Sequence, residues 1–246
     1  MIHVEHRSPL TMVTIDRPER RNALDHEALD GLLGALAAAV DLGSRVLVLT
    51  GSDGHFCAGA DLTTVEDEGF VATLHELLDG LRTVPIPTMA AIDGAALGAG
   101  TQLAIACDLR MATAGATFGI PAGKLGLMTD QWTVQRLSAL AGPSMARAML
   151  LAAETCSGER AHGLGLVTRL AEPDALEVDA RAWAHQIAQL APLTLAGFKV
   201  GLNQAEGDLA WTPEYRAAFD TAWASADLQE GLAAFGERRP PEFHGR

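Results

Sequence analysis

An α/β fold with a helical C-terminal third is what this 246-residue sequence predicts, and three observations carry the prediction. Two short runs, Val46–Thr50 and Thr88–Ile92, have the continuous hydrophobicity of strands covered on both faces, and each enters a glycine-containing loop. The stretches between strands repeat their apolar residues at helical spacing. From Thr129 onward nearly every segment carries helical signals.

Taken in order, Val4–Glu5 and Leu10–Ile15 predict a hairpin turning at Ser8-Pro9, and Asp16-Arg17-Pro18 ends its second strand. Asp25 is a good N-cap for a helix running to Val40, weakened at Gly31 and Gly34. After the strand Val46–Thr50 the chain is loop from Gly51 to Asp61. Glu66–Arg82 predicts a helix with Leu74, Leu77, Leu78 and Leu81 on one stripe. The strand Thr88–Ile92 leads through an Asp93-Gly94 turn and a Gly98-Ala99-Gly100 run into a helix over Gly100–Ala106, and a third buried strand covers Leu109–Ala112. Helices are predicted at Trp132–Leu140, Ser144–Leu151, Glu159–His162, Asp174–Leu190, Leu193–Gln204, Pro213–Ala224 and Asp227–Phe235. A single strand at Leu166–Leu170 interrupts them, and the Pro240-Pro241 tail reads as irregular. The candidate boundary follows Ala191-Pro192, dividing a core, residues 1–191, from a helical region, 192–246, packed on the core or on a neighbouring subunit.

Composition narrows the function classes. Hydrophobic residues make up 48% of the chain, enough for a large core. Acidic residues outnumber basic ones 31 to 18, a net charge of −13, which argues against nucleic acid or a polybasic membrane contact. Cys57, Cys107 and Cys156 lie far apart without CxxC or zinc spacing, so no metal site is expected and the thiols read as those of a cytoplasmic protein. The opening MIHVEHRSPL lacks a signal-peptide pattern. No apolar run approaches the ~20 residues of a membrane span.

The chemistry is concentrated in two loops at strand ends, where α/β proteins bind ligands. The backbone N–H groups around Gly98, Ala99 and Gly100 stand at the open start of a helix, where four N–H groups lack intrahelical partners and the dipole is positive. Such a place suits an oxygen that gains negative charge, such as a thioester carbonyl. The loop GSDGHFCAGAD, residues 51–61, lies at the end of the preceding strand and can supply a second N–H. Neither loop is a phosphate loop or a dinucleotide fingerprint. On residues alone they fit close backbone packing as well as a ligand site. The side chain next to the helix start is Gln102, whose amide has no titratable proton near neutrality.

Five segments together carry a resemblance. RPERRNALD (Arg17–Asp25), VLVLTGSDGHFCAGADL (Val46–Leu62), AAIDGAALGAGTQLAIACDLRMAT (Ala90–Thr113), FGIPAGKLGL (Phe118–Leu127) and VQRLSALAG (Val134–Gly142) resemble the enoyl-CoA hydratase/isomerase, or crotonase, family in order and spacing. The resemblance spans essentially the whole chain. It implies an α/β, crotonase-like spiral of ββα units with a helical C-terminal trimerisation region. The homo-oligomer would be a trimer or a dimer of trimers. The implied ligand is an acyl-CoA thioester, with coenzyme A part of the ligand and no separate cofactor. The implied oxyanion hole is the backbone N–H of Ala60 and of Ala99, provided Ala99 keeps a negative φ. Arg20, Arg21, Asn22, Ala58 and Asp61 correspond to coenzyme A contacts, Asp61 fitting a structural role better, and Lys199 to a phosphate contact across a subunit boundary. Leu127 and Trp132 fall at the acyl pocket, although Trp132 fits equally well packed under a helix start.

The same resemblance exposes departures. Hydratases hold and activate water with two glutamates, and the corresponding positions are Gln102 and Ala122. Acid–base groups are commonly worth ~10²–10⁴-fold, so hydration is expected to be weak or absent. Asp130 is the carboxylate nearest the reacting carbons, either as an N-cap or as a nucleophile of the kind used by the aromatic dehalogenase branch. GAGxQLAxxCDLR, KxGLxxDxW, Ala146–Leu151 and Arg238–Pro241 are similar to a non-catalytic mycobacterial branch that binds long acyl-CoA esters. That likeness implies a fatty acyl-CoA carrier in lipid metabolism of the mycolic-acid type. The alternatives are an active hydratase or isomerase using Asp130, and a scaffold binding fatty-acid synthesis enzymes. His55 reads as an exposed loop residue, His75, His162 and His185 as helix residues without metal partners, Cys57 as unactivated, and Lys124 as facing either coenzyme A or solvent.

Overall fold

A computed structural model describes residues 1–61, 68–125 and 127–205, and from there to the end positions 213, 214, 217, 221, 224–227, 230, 234 and 237–246. The chain opens with a hairpin, β1 (Ile2–Arg7) and β2 (Leu10–Ile15), followed by α1 (His26–Asp41), β3 (Val46–Gly51), α2 (Glu68–Thr83) and β4 (Thr88–Ile92). Then come β5 (Ala95–Leu97), α3 (Ala99–Ala106), β6 (Leu109–Thr113), β7 (Thr117–Gly119), α4 (Gln131–Leu151), β8 (Cys156–Ser157), α5 (Gly158–Leu164), β9 (Arg169–Ala171), α6 (Leu176–Ala188) and α7 (Pro192–Gln204). Six strands form one sheet in the order β1-β2-β3-β4-β6-β9, parallel except at the β1–β2 hairpin. A smaller sheet, β5-β7-β8, stands beside it.

The apolar runs behave as parallel strands covered on both faces. Val13, Ile15, Leu47 and Leu49 point to the core shared with α1, α2 and α3, whereas Met12, Val46, Val48 and Met89 point to a second core under α6. Asp25 caps α1 by accepting from Ala28 N at 2.9 Å. Gly142 (φ 79°, ψ 152°) ahead of Pro143 divides α4 into the two helices that the sequence predicts. Arg110 explains the end of the CDLR segment. Its buried guanidinium donates to the carbonyls of Ala104 (3.2 Å), Cys107 (2.7 Å) and Leu166 (2.6 Å), closing the C-terminal end of α3.

Three expectations change. The sheet β5-β7-β8 went unpredicted because its strands have only two or three residues. The predicted strand Leu166–Leu170 lies later, at Arg169–Ala171, because Leu166 and Val167 are buried as core side chains while their backbone stays outside the ladder. A 3₁₀ turn at Pro173–Ala175 delays α6 to Leu176. The helices predicted over Pro213–Ala224 and Asp227–Phe235 lie largely outside the described residues. No described helix is long and apolar enough to cross a membrane, and no described group of His, Cys, Asp and Glu could hold a metal.

Candidate functional site

The glycine loops meet at the start of α3. The loop after β3 forms single bridges to both neighbours, Leu24 with Ala60 and Cys57 with Ala96. Leu24 N donates to Gly59 O (2.8 Å) and Asp61 N to Leu24 O (2.7 Å), so these ladder bonds leave the Ala60 N–H out. On the other side, Gly98 carries the positive φ (52°) and Ala99 does not, which meets the condition set for an alanine there. Gly100 is required by close approach, since a Cβ on it would lie 2.1 Å from Cys57 O. Neither the Ala60 nor the Ala99 N–H has an acceptor among the described residues. Both residues line one cavity of about 220 Å³, with Gly59 and Gly98 between them. The rest of its wall is mostly hydrocarbon, including Phe70, Leu74, Leu97, Ile120 and Leu127.

The two positions matching hydratase glutamates also line this cavity. Ala122 offers a methyl group. Gln102 is 6% exposed and its Nε2 lies 3.1 Å from Asp130 Oδ2 and 2.9 Å from Thr133 Oγ1. Asp130 caps α4 by accepting from Thr133 N (2.9 Å), and its Oδ2 accepts from Thr133 Oγ1 (2.6 Å). His75 Nε2 stands 3.7 Å from the same oxygen. Asp130 therefore lines the cavity with one oxygen engaged by a hydroxyl and an amide. That arrangement favours the capping role over a free nucleophile. The sequence gives no sign of Thr133 at the site, and it shows His75 only as a helix residue without metal partners. The available signal was that Val71 and His75 sit one turn apart on α2, flanking the buried leucine stripe.

Three of the residues matched to coenzyme A contacts have side chains engaged inside the protein. The Asn22 side chain is fully buried and saturated: Oδ1 accepts from Arg17 N (2.8 Å), and Nδ2 donates to Ser52 O (2.8 Å) and His55 O (2.6 Å). It fastens the Arg17–Asp25 segment to the loop after β3 and holds Arg21 (φ 49°) and Asn22 (φ 59°) in the left-handed region. Asp61 likewise faces inward, its carboxylate 3.6 Å from Arg17 Nη2. Lys199 is 5% exposed, and its ammonium spends its three donors on Leu81 O (2.9 Å), Ile86 O (3.0 Å) and Asp108 Oδ2 (2.7 Å). Burial lowers its pKa against the pull of Asp108. It ties α7 to the end of α2 and has no donor left for a phosphate. Trp132 does not line the cavity of the two amides. The Asp130 cap fixes the first turn of α4 and points Trp132 into an adjoining depression beside His75, Leu78 and Arg82.

Other expected residues stand at the cavity or its approach. Ala58 lines the cavity and donates its N–H to Arg21 O at 3.0 Å. Arg20 and Arg21 are exposed on that turn, and Lys124 is exposed on the loop before α4. His55 is engaged in the loop, its Nδ1 3.3 Å from Ala95 N. Burial pushes the Cys57 thiol up to about 12, so it is not an activated nucleophile.

This arrangement of stacked ββα units with paired loop amides defines a class, and the comparisons agree with it. The sequence matches the enoyl-CoA hydratase/isomerase family over residues 5–246. The probable enoyl-CoA hydratase echA6 of Mycobacterium tuberculosis is 41% identical over 251 residues, covering 100% of both chains. The 2,3-dehydroadipyl-CoA hydratase of Escherichia coli is 35% identical, with 99% of this chain and 98% of that one covered. A crystal structure of a putative enoyl-CoA hydratase/isomerase family protein from Hyphomonas neptunium superposes with a TM-score of 0.91 at 33% identity, covering 100% of this chain and 98% of that one. The chain belongs to the enoyl-CoA hydratase/isomerase family and has the crotonase fold.

Proposed function

We propose that this protein binds fatty acyl-CoA thioesters through the Ala60 and Ala99 amides and lacks hydratase chemistry, serving as an acyl-CoA carrier in lipid metabolism. The observation that carries the reading is the wall of the cavity itself. Ala60 and Ala99, whose N–H groups have no acceptor among the described residues, line the same cavity as Gln102 and Ala122, and neither of those side chains can take or give a proton near neutrality. A thioester oxygen supplies the missing acceptor, and the hydrocarbon wall suits an acyl chain. Arg20 and Arg21, exposed on the approach, offset phosphate charge on the coenzyme A end. The test pairs direct binding of saturated acyl-CoA with turnover assays on crotonyl-CoA and a longer enoyl-CoA. Binding without turnover is the expected result. Brisk hydration, or no binding of any coenzyme A ester, overturns the reading.

A further inference from the structure

We infer that Cys57 is a positioning residue whose sulfur turns the Ala60 amide toward the cavity, an inference that rests on the acyl-CoA reading above. In a trans peptide the C=O of one residue and the N–H of the next point in opposite directions. The Ala60 N–H is therefore aimed by whatever holds the Gly59 carbonyl, and the Ala99 N–H by whatever holds the Gly98 carbonyl. Gly98 O accepts from Gln102 N (3.1 Å) in the first turn of α3, so the helix itself turns the Ala99 N–H outward. The Gly59–Ala60 peptide has no helix behind it, and Gly59, at φ 116°, has no Cβ to restrict its rotation. Two groups hold that peptide instead. Leu24 N donates to Gly59 O at 2.8 Å, and the Cys57 thiol contacts both ends of the glycine. Its sulfur accepts from Gly59 N at 3.4 Å and stands 3.7 Å from Gly59 O as a donor.

The same cysteine ties this loop to the segment that carries the other amide. Cys57 N donates to Ala95 O (2.8 Å), and Leu97 N donates to Cys57 O (3.0 Å), just ahead of Ala99. Gly100 packs against the Cys57 side chain, since a Cβ on the glycine would lie 3.1 Å from the cysteine's own Cβ. Burial keeps the thiol protonated, so the sulfur has both a proton to give and lone pairs to offer. An alanine at position 57 leaves the buried Gly59 N–H without an acceptor. The glycine relieves that loss by rotating, which swings the Ala60 N–H away from the point it shares with Ala99. Cys57 lies behind the cavity wall rather than in it, and acts through the Gly59–Ala60 peptide.

The experiment measures the affinity of the whole protein, by calorimetry, for two ligands of equal chain length: a saturated acyl-CoA thioester and the S-alkyl-CoA thioether, which has no carbonyl. Two aligned amides give the thioester the higher affinity in the unaltered protein. Cys57→Ala is expected to shrink the thioester-to-thioether ratio about fivefold while leaving thioether affinity unchanged. The infrared band of the bound, isotope-labelled thioester carbonyl should move back toward its position in water. Cys57→Val refills the space without an acceptor and is expected to behave like the alanine variant. Cys57→Ser restores a donor and an acceptor and is expected to recover the ratio. An unchanged ratio and band in the alanine and valine variants would overturn the inference and leave the carrier reading standing. So would a thioether affinity that falls in step with that of the thioester, which marks lost packing alone. Failure of the unaltered protein to bind either ligand would overturn both.

Discussion

Placing a glutamate at position 102 tests the central geometry most directly, because the site is built around a donor there. In Gln102→Glu a carboxyl oxygen takes the place of the Nε2 that stands 3.1 Å from Asp130 Oδ2. Two full charges at that separation repel by about 5 kcal/mol at an effective dielectric of about 20. The simplest relief is for the new glutamate to keep its proton and donate it to Asp130. Its pKa then rises above the free value of about 4.3. A raised carboxyl pKa means that the folded chain holds a proton which the unfolded chain releases, so stability is lost as pH rises through that window. Each pH unit costs about 1.4 kcal/mol relative to the unaltered protein, or about 3 kcal/mol between pH ~5 and ~7. For a chain of this size that is a further drop of roughly 5–10 °C in melting temperature.

Thermal unfolding of the unaltered protein, Gln102→Glu and the double variant Gln102→Glu/Asp130→Asn at the two pH values reads this out. Asparagine preserves the N-cap of α4 and removes the opposing charge, so the pH-dependent part of the loss should vanish in the double variant. A loss of equal size at both pH values, or one that Asp130→Asn does not relieve, would refute the reasoning. Gln102→Glu should also fail to hydrate crotonyl-CoA, because its carboxyl is held by Asp130 and its partner position is Ala122.

Three further outcomes are expected. Lys199→Met should destabilise the fold by about 3 kcal/mol, since it strips the donor from Leu81 O and Ile86 O and leaves Asp108 without its cation, yet leave acyl-CoA affinity of the folded protein unchanged. Because burial lowers the Lys199 pKa below 10.5, the folded chain holds fewer protons than the unfolded one just under that pH, and the margin over Lys199→Met in denaturant titrations should grow as pH rises there. Cys57 and Cys107, both buried and pushed up to about 12, should resist alkylation in the native protein at pH ~8 and react in denaturant, as mass spectrometry would record. Gly100→Ala forces a Cβ to within 2.1 Å of Cys57 O, so it should cost about 2 kcal/mol or more in chemical denaturation and weaken acyl-CoA binding together with it.

Much of the framework was legible because its signals are local. Val46–Thr50 and Thr88–Ile92 read as doubly covered strands from their unbroken apolar content, Asp25 reads as a cap from residue type and place, and Asp130 reads as a cap or a nucleophile. The strands of β5-β7-β8 carry two or three residues each, too few for any period to show, and Leu166–Val167 imitates a strand because core side chains and strand residues share one alphabet. Site residues divided along the same line. Backbone donors were readable from glycine spacing, since a loop that must approach another loop needs Gly100 where Cys57 O lies. Charged side chains were not, because a lysine forecasts a phosphate contact equally well whether it reaches solvent or, as Lys199 does, caps carbonyls inside the molecule.

Gln102 and Asp130 illustrate why a substitution cannot be judged one position at a time. Read alone, Gln102 is a lost acid, and Asp130 is a carboxylate in search of a reaction. Together with Thr133 they form one set, in which Gln102 Nε2 reaches both Asp130 Oδ2 and Thr133 Oγ1 while Thr133 Oγ1 donates to Asp130 Oδ2, so position 102 has to supply a donor. A carboxylate at 102 and an aspartate at 130 exclude one another at 3.1 Å unless a proton is trapped between them. The absence of the first glutamate and the presence of Asp130 are therefore one structural change. On the proposed carrier reading, restoring acid–base chemistry requires altering at least positions 102, 122 and 130.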